Sequence, residues 1–240
     1  MIKIKLTENY TGFHIEGTYD DFNELYDSID SFLDSEKSQK ELEEDMRLHI
    51  LGFLYDLRHA YQRDRYVKTE DNRLTEEDKE FHGINKSVKQ NIILGFDYLV
   101  TDLILDILLF KHFAVKNSNE LNEFNPEYNI VNTFYSKVVF ALTEIITPVQ
   151  YKKIKKSLKE AVIHEKYYIR QWFLNIDIDY IRMNKTKRKR EIIHIIDAIC
   201  NWHSYDEYHE MREEIYKYAK DNNCRVTDIE YGEFPEEIEW

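Results

Sequence analysis

A chain of 240 residues with 42% hydrophobic and 14% aromatic content can bury a sizeable core and is too apolar to be disordered. Three prolines and six glycines are too few for the tight turns of a sandwich or barrel, so long helices on short connections are expected. Two cysteines rule out a disulfide framework, and a formal charge of −13 makes any basic block stand out.

Ile2, Ile4 and Leu6 alternate with Lys3 and Lys5, TENYTG turns, and Phe13 and Ile15 alternate with His14 and Glu16. That pattern predicts a β-hairpin over residues 1–17 with one buried face. In TYDDFNELYDSIDSFLD, Phe22, Leu25, Tyr26, Ile29, Phe32 and Leu33 share a helical face, with Thr18 or Asp20 as cap. A polar linker, SEKSQKELEED, leads to a long helix over 39–66, and YVKTEDN reads as a loop or short strand.

Ile92 to Phe110 has the length of a membrane span but carries Asp97, Asp102 and Asp106. Each mid-bilayer acid costs about 2.5–3.5 kcal/mol, so the run is read as part of a buried helix over 86–116. KNSNELNEFNPEYN is a loop, and helices follow over 127–146, 150–176, 187–201 and 205–221. CRVTDIEY reads as a closing strand that extends the hairpin sheet. The expected fold is mainly α, of the α+β class, in one domain. Residues 1–17 form its hairpin, 18–222 a helical body and 223–240 a strand and tail. MIKIKLTENY lacks an apolar h-region, so a cytoplasmic, non-membrane protein is expected.

Charge is the strongest functional signal. Residues 150–190 hold 13 Lys and Arg against 4 Asp and Glu, a local charge of +9 that leaves −22 on the rest. At 100° per residue Lys152, Lys155, Lys156, Lys159, Lys166 and Arg170 fall in one arc, a stripe running about 27 Å. Lys187, Arg188, Lys189 and Arg190 then open a helix, where cations oppose the macrodipole, so a binding role is expected of them. An acidic protein surface, that of a second copy included, is the expected partner. Nucleic acid is the alternative, disfavoured at long range by the acidic remainder.

Two catalytic templates touch this block. Arg188-x5-His194 resembles the motif of the helical HEPN ribonucleases, whose arginine and histidine act on an RNA phosphodiester, usually across a dimer. His194 lies opposite the stripe Ile192, Ile195, Ile196 and Ile199, so it is expected to be exposed. Glu191-x-x-His194 is half of a di-iron signature. It lacks the second pair and the two extra glutamates, so no metal or cofactor is expected. His49, His82, His112, His203 and His209 have no ligand spacing.

HILGFLYDLRHAYQRDR carries two apolar stripes, and Arg58 and His59 continue the one that ends at Tyr55. A buried polar cluster of Tyr55, Arg58, His59, Asp102 and Asp106 is therefore expected. Its bland form is an Arg–Asp pair docking two core helices, and its sharper form is a pocket for a small anion or a catalytic proton.

TGFHIEGTYDDFNELYDSI, LGFLYDLRHAYQRDR, FHGI and NCRVTDI together resemble an uncharacterised bacterial family, a domain of unknown function, over nearly the whole chain. The resemblance implies a stand-alone bacterial cytosolic protein and assigns no active site. It also implies a glycine after RHAYQ, where this chain has Arg63. The function expected from the residues is a non-enzymatic interaction protein that docks through its basic face.

Overall fold

The computed structural model describes residues 1–33, 41–81, 83, 90–117, 124–163, 168–229 and 232–240. The strands are β1 (Lys3–Leu6), β2 (Gly12–Gly17), β3 (Tyr66–Asp71) and β4 (Gln90–Leu99). The longer helices are α1 (Tyr19–Leu33), α2 (Glu41–Tyr61), α4 (Val100–Asn117), α5 (Pro126–Ala141), α6 (Pro148–Glu160), α7 (Ile169–Arg182), α8 (Lys185–Cys200) and α9 (Asp206–Asn222). One short helix, α3 (Glu76–Phe81), sits between β3 and β4. The architecture is α+β, a helical body with a small antiparallel sheet ordered β1-β2-β4-β3.

β2 and β4 form the middle of the sheet, with Phe13 opposite Tyr98, Ile15 opposite Phe96 and His14 opposite Asp97. Phe13, Ile15, Leu94, Phe96 and Tyr98 enter one contiguous core with residues from the helices. The other face carries charge. His14 Nδ1 lies 2.6 Å from Asp97, its Nε2 3.1 Å from Glu16, and Lys68 reaches Glu16 at 2.6 Å. The bond to Asp97 holds His14 above the usual imidazole range, against the opposing pull of burial.

Three expected elements are different. Residues 90–99 are a strand and only 100–117 a helix, where a single helix over 86–116 was expected. Alternation is masked because both faces are covered: Ile93 and Leu99, on the face away from the core, are buried as well. The closing strand is instead a 3-10 turn, Val226–Asp228, fixed by an Arg225–Asp228 contact of 2.8 Å. The expected helix over 150–176 is two helices. α6 ends at Glu160, with Ala161 extended (ψ 138°), and α7 begins at Ile169.

Ends are set by local chemistry. Thr147 and Gln150 form a reciprocal capping box on α6 with Pro148 in its first turn, and Asn125 and Asn184 cap α5 and α8. α2 ends in paired bonds, Arg63 N to Ala60 O and Asp64 N to His59 O, with Arg63 left-handed at φ 72°. That is the turn in which glycine is preferred, and Arg63 occupies it here. No described helix is long and apolar enough to cross a membrane.

Candidate functional site

Three aspartates on two helices meet in the interior. Asp102 and Asp106 are one turn apart on α4, and Asp177 comes from α7, which packs on α4. His49 of α2 faces them, its Nε2 3.6 Å from Asp106 and 3.8 Å from Asp102. The Asp106 side chain is 0% exposed, that of Asp102 22% and that of His49 28%. Neither Asp106 oxygen has a hydrogen bond of ordinary geometry among the described residues, and neither has the buried Tyr135 hydroxyl. Among the described residues no lysine or arginine pairs with any of the three carboxyls.

The electrostatics follow from that isolation. Burial pushes Asp106 well above the usual carboxylate range, and the neighbouring Asp102 charge adds to it, against a weaker pull from the Tyr98 hydroxyl. Asp177 is likewise held well above that range by burial and by Asp102. Asp102 is raised by burial, while His49 and a hydrogen bond from Asp177 pull it back. Burial therefore opposes ionisation of all three carboxyls, and at Asp102 alone His49 and Asp177 work against it.

The trio is connected to the outside. A cavity of about 460 Å³ is lined by His49, Tyr98, Asp102 and Asp177, with Leu105 and Phe173 among its apolar walls. Arg170 and Phe234 also line it. A second cavity of about 490 Å³ shares Tyr98, Asp102 and Phe234 with the first and holds the Asp56–Arg65 pair, 2.7 Å apart. Phe234 belongs to the C-terminal segment, which is tied down where Asn9 donates to the Trp240 carbonyl at 3.0 Å and Thr11 to that of Glu239. An apolar cavity with a few convergent polar groups and displaced acidities is the general form of a small-molecule site. Chemically, this arrangement can accept a cation, or hold a proton on Asp177 beside a bound molecule. Among the described residues no three His, Cys, Asp or Glu side chains are arranged to hold a metal ion.

The expected polar cluster is not assembled. Asp102 and Asp106 face His49, while Tyr55 and Arg58 are exposed on another side of α2. Arg58 lies 5.6 Å over the Tyr55 ring, the Tyr55 and His59 rings lie 4.2 Å apart and tilted, and His59 reaches Asp64 at 3.1 Å. α2 buries Ile50, Phe53, Leu54 and Leu57, so the stripe ending at Tyr55 looks outward, and Leu48 in it is exposed too. The sharper anion-pocket reading fails with it.

The basic block separates into three groups. Lys152, Lys155, Lys156 and Lys159 are exposed on α6, and Lys187, Lys189 and Arg190 on α8. Lys166 lies outside the described residues, as do His82 and the 164–167 segment, while Arg170 is exposed and lines the acid-floored cavity. Arg188 is not part of any surface: it is 3% exposed. It donates to the carbonyls of Tyr180 (3.1 Å), Ile181 (2.6 Å) and Asn9 (3.0 Å). The Arg188–His194 pair is thus not a common site, since His194 is exposed beside Tyr205 while the guanidinium is spent on buried carbonyls.

Sequence reasoning missed His49 and Asp177. Asp177 carried a signal, because it lies one turn from Phe173 and beside Ile176, inside a stripe of core residues. His49 adjoins Ile50 on the buried edge of α2, which its lack of ligand spacing concealed.

Fold and site together define an α+β protein built around a buried acidic cavity. Residues 2–240 match the family described as a domain of unknown function, DUF6904, and the chain belongs to that family. No curated protein and no solved structure matches it.

Proposed function

We propose that the protein binds a small organic cation, a protonated amine on an apolar body, in the cavity between α2, α4 and α7. One observation carries the reading: Asp102, Asp106 and Asp177 are desolvated together, and among the described residues no lysine or arginine forms an ion pair with any of them. A buried carboxylate without a counter-charge is costly, and the group answers by staying protonated. A bound ammonium supplies the missing charge, and the apolar walls accept its hydrocarbon. Calorimetric titration with hexylamine and cyclohexylamine tests it. Saturable binding that is lost in the Asp102→Asn/Asp177→Asn variant is expected, and no heat from any amine with the wild type contradicts it.

A second reading is favoured by a separate observation. Lys152, Lys155 and Lys159 on α6 and Lys189 on α8 form no ion pair with a carboxylate among the described residues, and these two helices pack together. This surface suits an acidic protein partner, a second copy of this chain included. Association that weakens between low and high salt in light scattering or a pull-down is expected. A salt-independent monomer with no partner retained would count against it, and retained nucleic acid would transfer the surface to a polyanion.

A further inference from the structure

Arg170 looks misplaced on a basic docking face, because its position on α7 gives it to the acid-floored cavity. α7 presents Arg170, Phe173, Leu174 and Asp177 to that one space. Residues 170 and 177 are separated by about 10 Å of helix rise, with Phe173 and Leu174 between them. The cavity therefore has a positive group at one end, a carboxyl pair at the other and hydrocarbon along the wall that joins them. Arg170 has no carboxylate partner among the described residues, so its guanidinium is available to an anion. A simple amine would use only one end of this arrangement.

Resting on the organic-cation reading above, we propose that the ligand is an elongated zwitterion, its ammonium on Asp102 and Asp177 and its carboxylate or phosphate on Arg170. The planar guanidinium fork holds either oxyanion in the same bidentate way. The two-turn spacing selects for length. An α-amino acid, with its charges on adjacent carbons, cannot reach both ends, whereas a chain with an apolar spacer can lie along Phe173 and Leu174.

The test is a calorimetric series of hexylamine, hexanoate, leucine, 4-aminobutanoate, 6-aminohexanoate, 8-aminooctanoate and 6-aminohexyl phosphate, against wild type and Arg170→Gln. The expected result is that one of the longer zwitterions binds about tenfold tighter than hexylamine, and that Arg170→Gln brings that ratio close to one. The carboxylate and phosphate members show which oxyanion is preferred. Arg170 is exposed, so the variant is expected to fold, and its melting temperature checks that. Equal affinity for hexylamine and every zwitterion, or a ratio unchanged in Arg170→Gln, overturns the zwitterion while leaving the organic cation standing. If neither amines nor zwitterions bind, both readings fall.

Discussion

Arg188 and Lys111 solve the same problem from different helices. Each places a cation on carbonyls near the end of a neighbouring helix, where hydrogen-bond acceptors and the negative end of the dipole are otherwise unmet. Arg188 of α8 does this for Tyr180 and Ile181 of α7, and Lys111 of α4 for Leu158, Lys159 and Ala161 at the end of α6. A cation that opposes its own helix dipole is thereby matched by another helix. Truncating Arg188 removes a donor from three carbonyls, of which that of Tyr180 keeps the Met183 N–H at 3.1 Å. Arg188→Ala is expected to lose about 3 kcal/mol or more in denaturant unfolding. Lys187→Ala and Lys189→Ala, one residue to either side, are expected to stay within about 0.5 kcal/mol of wild type. Similar losses at all three positions would contradict the structural role given to Arg188.

Asp106 works in the other direction. Its pKa is raised in the folded protein, so its contribution to stability is complete below the ordinary carboxyl value of 3.8 and is lost as pH rises through the folded value. At neutral and alkaline pH the unfolded chain ionises this group freely while the folded chain resists, which favours unfolding. Asp106→Asn removes the penalty. Melting at pH 8 is expected to rise by roughly 2–4 °C per kcal/mol recovered, with no gain at pH 3. An equal shift at both pH values would show that packing, not ionisation, is the cause.

At the level of elements, the sequence was most readable where one face of an element is wet. β1, whose Lys3 and Lys5 are exposed, and α1, with its one buried stripe, lie where the pattern puts them. It was least readable where both faces are covered. β4 resembled half a helix because Ile93 and Leu99 are buried as well as Leu94, Phe96 and Tyr98, and nothing local announces the change to α4 at Val100. The site had the same limit. Asp102 and Asp106 stood out as acids in an apolar run, but their facing group depends on how three helices pack, which no spacing within one helix reports. His49 rather than Arg58 faces them, a matter of helical phase on α2.

The C-terminal segment shows how a single position can govern an element. Gly12 leaves room for the Trp240 ring: a Cβ there would lie 2.6 Å from Trp240 Cζ3 and 2.6 Å from the Tyr98 carbonyl. Gly12→Ala is expected to cost about 1–3 kcal/mol by overpacking and to loosen the segment that carries Phe234 to the cavities. Its readouts are the unfolding midpoint and proteolysis near residue 234. An unchanged midpoint with unchanged cleavage would contradict the tie.

For the whole molecule, charge is sorted by depth as well as by sign. The exposed lysines of α6 and α8 form the basic region, Arg188 and Lys111 serve helix ends, and Arg170 joins the rim of an acidic interior. The +9 counted along residues 150–190 is therefore not a single face. The account rests on three carboxyls whose ionisation burial opposes until a cation arrives, and that makes binding a proton-linked event. An ammonium entering the cavity favours the ionised carboxylate, so affinity must rise with pH while the amine itself stays charged. The most direct measurement is calorimetry of hexylamine binding at pH 7 in two buffers of different ionisation enthalpy. The account predicts release of close to one proton per amine bound, abolished in Asp102→Asn/Asp177→Asn together with the binding itself. Binding with no proton released, or with proton uptake, would contradict it.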